Sequence, residues 1–160
     1  MSFKQSDSVK SEEMSRFLEF KLGNEFYVIE LHTVREVITP PELTPIPKAP
    51  PHVCGLMNLR GLVLTVIDLR KRLSITPGKD ASENSIVIFD LGDRLVGAWV
   101  DSIIRVATVE KSAIRPVPDS DANGVTQYLN GIIQFDHKLA LWLDVKKLLG
   151  SVPETMKKAA

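Results

Sequence analysis

The sequence predicts an all-β, mainly strand, domain made of two related halves. Three observations carry that prediction. Short apolar stretches punctuated by turn residues recur along the chain, with the period of strands rather than helices. Gly55–Leu73 aligns without a gap on Gly131–Leu149, the mark of an internal duplication. Six of the ten prolines crowd between Pro40 and Pro51, where each removes a backbone donor, so this stretch is an extended connector rather than a ladder strand.

The elements follow in order. Residues 1–15 and 151–160 are polar, without apolar period, and read as flexible tails around a domain spanning 16–150. Arg16–Leu22 places Leu18, Phe20 and Leu22 on one face, with Glu19 and Lys21 opposite. Gly23-Asn24 is a hairpin turn signal, and Phe26–Leu31 is the return strand. Ile86–Leu91, Gly92-Asp93 and Leu95–Val100 repeat that hairpin. Further strands are expected at Val53–Leu59, Leu62–Asp68, Ile103–Val109, Gly131–Phe135 and Leu139–Asp144. Short helical pieces are expected near Thr33–Ile38, Leu69–Leu73, Glu110–Ile114 and Val145–Leu149.

The duplication pairs residues with particular roles. Gly55 falls on Gly131, Asp68 on Asp144, Lys71 on Lys147, Gly23 on Gly92, Val34 on Ile103 and Val37 on Val106. Pro45-Ile-Pro47 is echoed by Pro116-Val-Pro118. The halves are about 17–73 and 86–149, each too small to be robust alone, so a shared apolar seam is expected.

Composition bounds the function. Twenty basic against twenty acidic residues give zero formal charge, which argues against a nucleic-acid binder and against electrostatic attachment to an acidic membrane. A single cysteine, Cys54, suits a reducing compartment. No apolar run reaches the roughly 18 residues of a membrane span, so a cytoplasmic protein without direct membrane insertion is expected.

Catalytic patterns are absent. His32, His52 and His137 are scattered, and there is no phosphate-cradling, dinucleotide-binding or nucleophile-elbow motif. No enzyme activity, metal or cofactor is expected. Asp119-Ser-Asp121-Ala-Asn123-Gly124 opens like a calcium loop, but its twelfth position is Asn130 where a Glu is needed. Arg70-Lys71-Arg72 reads as the solvated face of a short helix, Asp68 and Asp144 as helix N-caps, and Trp99 and Trp142 as core or seam residues. Asn58-Leu-Arg60-Gly61 is poorly explained by packing: a placed protein contact and an incidental loop charge are both open.

Gly55-Leu-Met-Asn58-Leu-Arg60-Gly61 followed by Val66-Ile-Asp68-Leu-Arg70 closely resembles the signature of the CheW family. The resemblance spans about residues 16–150 and takes in Phe17–Gly23, Val34-Arg-Glu36-Val37, Gly97–Asp101, Ile114–Pro118, Tyr128–Gly131 and Leu143–Leu149. It implies two five-stranded SH3-like β-barrels packed together. It also implies a non-enzymatic adaptor that couples the cytoplasmic tips of methyl-accepting chemoreceptors to the regulatory domain of the histidine kinase CheA. Such a protein works in the cytoplasm, recruited to membrane-associated receptor arrays. The implied receptor contacts are Val34, Glu36, Gly55, Arg60, Ser85, Ile86, Val87 and Val106, and the implied kinase contacts are Val37, Arg115, Asp119 and Ser120. Thr65 stands where the family usually has Pro, and Trp142 sits in a closing strand normally rich in Leu or Val. These departures leave a CheW-like scaffold of another chemosensory pathway, controlling pili or gene expression, as the alternative.

Overall fold

Two hairpins of one design open the two halves. The computed structural model describes residues 14–77, 84–118, 124–135, 137–150, 152 and 156–157. In the first hairpin β1 (Met14–Leu22) pairs antiparallel with β2 (Glu25–Glu30) around Gly23 at φ +59°. A 3-10 turn, Leu31–Thr33, leads to β3 (Val34–Ile38). Then come β4 (Val53–Leu59), β5 (Leu62–Asp68) and helix α1 (Leu69–Leu73). The second hairpin is β6 (Ser85–Asp90) and β7 (Leu95–Val100), turning near Gly92 at φ +96°. It is followed by β8 (Ser102–Glu110), a 3-10 turn at Lys111–Ala113, and β9 (Ile114–Arg115). The described chain closes with β10 (Leu129–Phe135), β11 (Lys138–Leu143), helix α2 (Val145–Leu149) and β12 (Met156–Lys157).

The expected helical piece at Thr33–Ile38 is instead β3. Val34, Val37 and Ile38 are β-branched, and Glu36, Val37 and Ile38 pair with Ile88, Val87 and Ile86 on β6. A ladder of that kind outcompetes a single isolated helical turn, whose nucleation is costly.

The strands form two sheets, in the orders β8-β1-β2-β11-β10-β9 and β12-β5-β7-β6-β3, with β4 paired to β5. Each is five full strands and one two-residue strand, so the fold is the expected all-β pair of subdomains. The sheets do not coincide with the sequence halves. The first hairpin joins β8–β11 of the second half, and the second hairpin joins β3–β5 of the first. Parallel pairings β2–β11 and β7–β5 make the exchange. The two halves are therefore interlocked, and neither sheet is contiguous in sequence.

Three apolar clusters result. Phe17, Val28, Ala107, Val109, Ile133 and Ala140 fill the first barrel, joined by the partly buried Trp142, whose ring meets Phe17 edge-on at 5.2 Å. Met57, Leu59, Leu64, Val66, Ile86, Ile88 and Leu95 fill the second, against Trp99. The largest cluster lies between them and takes Phe20, Leu22 and Tyr27 from one sheet, Val87 and Phe89 from the other, and Leu149 from α2. This is the expected seam.

The duplication is visible in backbone detail. Thr44 bridges to Leu56, and Arg115 pairs with Ile132 at the corresponding place. A Cβ on Gly55 would lie 2.5 Å from the Thr44 carbonyl oxygen, and one on Gly131 would lie 3.1 Å from that of Arg115. The chain approaches Gly55 too closely for a side chain and crowds Gly131 more mildly. Asp68 and Asp144 cap their helices, each accepting from the backbone N–H three residues on, at 3.2 and 3.1 Å. Each also donates its own N–H at 2.7 Å to an equivalent carbonyl, His52 and Tyr128.

Candidate functional site

The β4–β5 turn presents Asn58-Leu-Arg60-Gly61 at the rim of the second barrel. Arg60 at φ +50° and Gly61 at φ +92° give both turn positions the positive φ that matches the twist of flanking strands. Asn58 Oδ1 accepts the Gly61 N–H at 2.9 Å and fixes the turn. A left-handed arginine costs roughly 1 kcal/mol or more.

Arg60 reaches Glu36 on β3. Its Nη2 donates to both carboxylate oxygens, at 2.7 and 2.8 Å. β3 and β4 lie at opposite ends of the strand order β3-β6-β7-β5-β4, so this ion pair spans the open side of the barrel. The Arg60 side chain is 72% exposed and that of Glu36 27%. An exposed pair contributes only about 0–1 kcal/mol, no more than the strained turn costs. Stability does not account for this arginine. The arrangement holds a largely exposed guanidinium at the barrel rim.

The other expected receptor contacts distribute unevenly. Val34 is half-buried at the start of β3, opposite Phe89, and Ser85 is half-buried at the start of β6. Gly55 is buried in β4 beside Thr44. Ile86 and Val87 are wholly buried, one in the second barrel's core and one in the seam. Their side chains shape the surface from beneath and offer none of it. Val106 is exposed, but on β8 in the first sheet, opposite Leu18. Of the expected kinase contacts, Val37 is exposed on β3 and Arg115 on β9. Asp119 and Ser120 lie outside the described residues, as does the opening of the calcium-like loop up to Asn123.

Two charged constellations escaped the sequence reading. Asp101 is 2% exposed. Its Oδ2 accepts the Gly23 N–H at 2.7 Å and its Oδ1 lies 3.2 Å from Arg70 Nε. Arg70 therefore belongs to the join between the barrels, which corrects its reading as a solvated helix face. Arg72 likewise lies over the Tyr128 ring at 5.2 Å, leaving Lys71 as the exposed member of the three. The second constellation is Glu19, fully buried between Arg105 and Lys138. Period-two alternation put Glu19 on the solvent side, but in a barrel packed against a seam β1 buries both faces.

Among the described residues, no group of three His, Cys, Asp or Glu gathers as metal ligands, and no helix is long and apolar enough to cross a membrane.

Comparison with known proteins follows the same lines. The CheW-like domain family matches residues 16–152. The chemotaxis protein CheW of Klebsiella aerogenes is 35% identical over 136 residues, covering 84% of this chain and 81% of that protein. CheW of Bacillus subtilis is 30% identical, covering 84% and 86%. The crystal structure of the scaffolding protein TtCheW from Thermoanaerobacter tengcongensis superimposes with a TM-score of 0.77 at 28% identity, covering 84% of this chain and 87% of that one. With its fold, its signature turn and these relatives in agreement, the chain belongs to the CheW-like family.

Proposed function

We propose that this protein is a chemotaxis adaptor that couples chemoreceptor cytoplasmic tips to the regulatory domain of a CheA-type histidine kinase, working in the cytoplasm at receptor arrays and catalysing nothing itself. The observation that carries the reading is the Glu36–Arg60 pair. A guanidinium is fixed at the rim of an apolar barrel by a contact too weak to matter for stability, which suits recognition of a helical partner. Val34 and Glu36 on β3, Gly55 on β4, Ser85 beside them on β6, and Val106 across the fold would form the receptor surface. Val37 and Arg115 would meet the kinase. The relatives bear the name chemotaxis protein, which favours this reading over a pilus or gene-regulatory pathway. Individual contacts can be modest, because an array raises effective concentration.

The test is direct. Arg60→Ala is expected to weaken pull-down of receptor cytoplasmic fragments while the circular dichroism spectrum and melting temperature stay unchanged. Full retention of receptor binding contradicts the assignment. The intact protein is also expected to raise CheA autophosphorylation only when receptor fragments are present. No stimulation in reconstituted complexes contradicts the coupling role.

A further inference from the structure

The first barrel has the same open side as the second but closes it differently. β8 heads the strand order, and β10 is flanked at the far end only by the two-residue β9. Between β8 and β10 runs a cleft of about 400 Å³, lined by Arg105, Val106, Thr108 and Glu110 on one side and Ile133, Gln134 and Phe135 on the other, so its one cation lies five residues along β8 from its one carboxylate. In the second barrel the matching gap is crossed by the Glu36–Arg60 pair. The repeat that sets Val37 on Val106 sets Glu36 on Arg105. The first barrel thus carries a cation where the second carries the closing carboxylate.

That cation is held rigidly. Arg105 Nε donates to Glu19 Oε1 at 2.9 Å, and Glu19 Oε2 lies 2.6 Å from Lys138 Nζ. Glu19 is 0% exposed, so it is fixed by the barrel wall. The Arg105 guanidinium carbon stands 4.8 Å from the Phe135 ring centre, and Lys138 Nζ stands 3.8 Å from that of Phe26. Anchored through Nε and stacked on a ring, the half-exposed guanidinium keeps Nη1 and Nη2 without a partner among the described residues. Two cations against one buried carboxylate leave the triad net positive. A pre-ordered fork of this kind is matched to a carboxylate. Beside it, among the described residues β8 pairs only with β1, and the strand also exposes Ile104 and Val106.

We infer that the cleft between β8 and β10 is a docking site for an extended acidic segment of a partner protein. The segment's carboxylate takes the Arg105 fork while its backbone pairs with the outer edge of β8. An added strand gains main-chain hydrogen bonds, its alternate apolar side chains meet Val106 and the cleft, and the acid sets its register. The site shares Val106 with the proposed receptor surface but lies apart from the Glu36–Arg60 rim, so Arg60→Ala tests the receptor reading and Arg105→Ala tests this one.

The test is a titration of the ¹⁵N-labelled full chain with a capped octapeptide alternating valine and glutamate. Shifts are expected at Arg105–Glu110 and Gln134–Lys138, with affinity falling about tenfold or more in Arg105→Ala, the loss expected for one charge-assisted contact. Arg105→Ala leaves Glu19 paired with Lys138, and its unchanged melting temperature serves as the folding control. The same peptide with lysine for glutamate is expected not to bind. Equal binding of the lysine peptide, equal binding by Arg105→Ala, or shifts centred elsewhere overturns the proposal. So does inorganic phosphate reproducing the whole effect, because that describes an anion site and not a strand site. Asp136 falls where the repeat places Arg60. Tighter peptide binding by Asp136→Asn would mean that the chain's own carboxylate fills the place, and would also overturn it.

Discussion

The two barrels agree where backbone geometry decides and part where they close. Bridges, helix caps and close-approach glycines recur at matching positions, because each satisfies a backbone group that has no other partner. The rims diverge: Glu36 and Arg60 span one gap, while Arg105 is drawn back onto Glu19 at the other. The turns of the two hairpins diverge as well. Gly92 donates to Asp90 within its own exposed turn, whereas Gly23 donates to buried Asp101, 78 residues away. A duplicated scaffold can keep its framework twice and specialise its edges once each, which suits the adaptor role proposed above.

Substitutions can break that comparison in order of expected effect. Gly55→Ala should cost about 3 kcal/mol, since a Cβ at φ +145° would strike the Thr44 carbonyl. Gly131→Ala should cost about 1 kcal/mol, because its φ is unstrained and part of its crowding is a side-chain methyl of Ile114. Urea melts of the two variants decide the point, and equal losses would mean the two approaches are alike. Asp101→Ala should cost about 2–3 kcal/mol by stranding the Gly23 N–H and the largely buried Arg70, whereas Asp90→Ala, at an exposed turn, should cost under about 1 kcal/mol. Asp68→Ala and Asp144→Ala should each cost about 1 kcal/mol and match closely, as helix caps do.

A difference in reactivity rather than stability concerns Cys54, next to Gly55 in the second barrel. Burial, aided by Asp68, pushes its thiol up to about 11. Raising the pKa disfavours the thiolate but makes it a better nucleophile, so alkylation at pH 8 should run roughly tenfold slower than for a thiol titrating at 9.0. Rate measurements with iodoacetamide check it. A rate like that of a free thiol would mean that this side of the barrel opens readily.

Much of the fold was legible because local rules dominate it. The hairpins follow from alternation around Gly23 and Gly92, and the duplicated Asp68 and Asp144 announced their caps. The exchange of hairpins between sheets was not legible, because the apolar faces of β1 and β6 look alike and either could pair with β3 or β8. Glu19 was misplaced because alternation marks a strand's two faces without saying whether both are covered. At the candidate site Arg60 stood out by its turn. Glu36 entered only through family resemblance, since its meeting with Arg60 depends on how the barrel curls. Arg105 carried no signal at all until the repeat was laid over the structure.

On this reading the two rims are separate contact surfaces. One experiment addresses it: titrate the ¹⁵N-labelled full chain with a receptor cytoplasmic fragment, then add the acidic valine–glutamate peptide to the complex. The fragment is expected to shift residues 34–36, 58–61 and Val106, the peptide then to shift residues 105–110 and 134–138 further, and both to stay bound. Arg60→Ala should weaken only the first and Arg105→Ala only the second. Displacement of one ligand by the other, or loss of both through either variant, would contradict it.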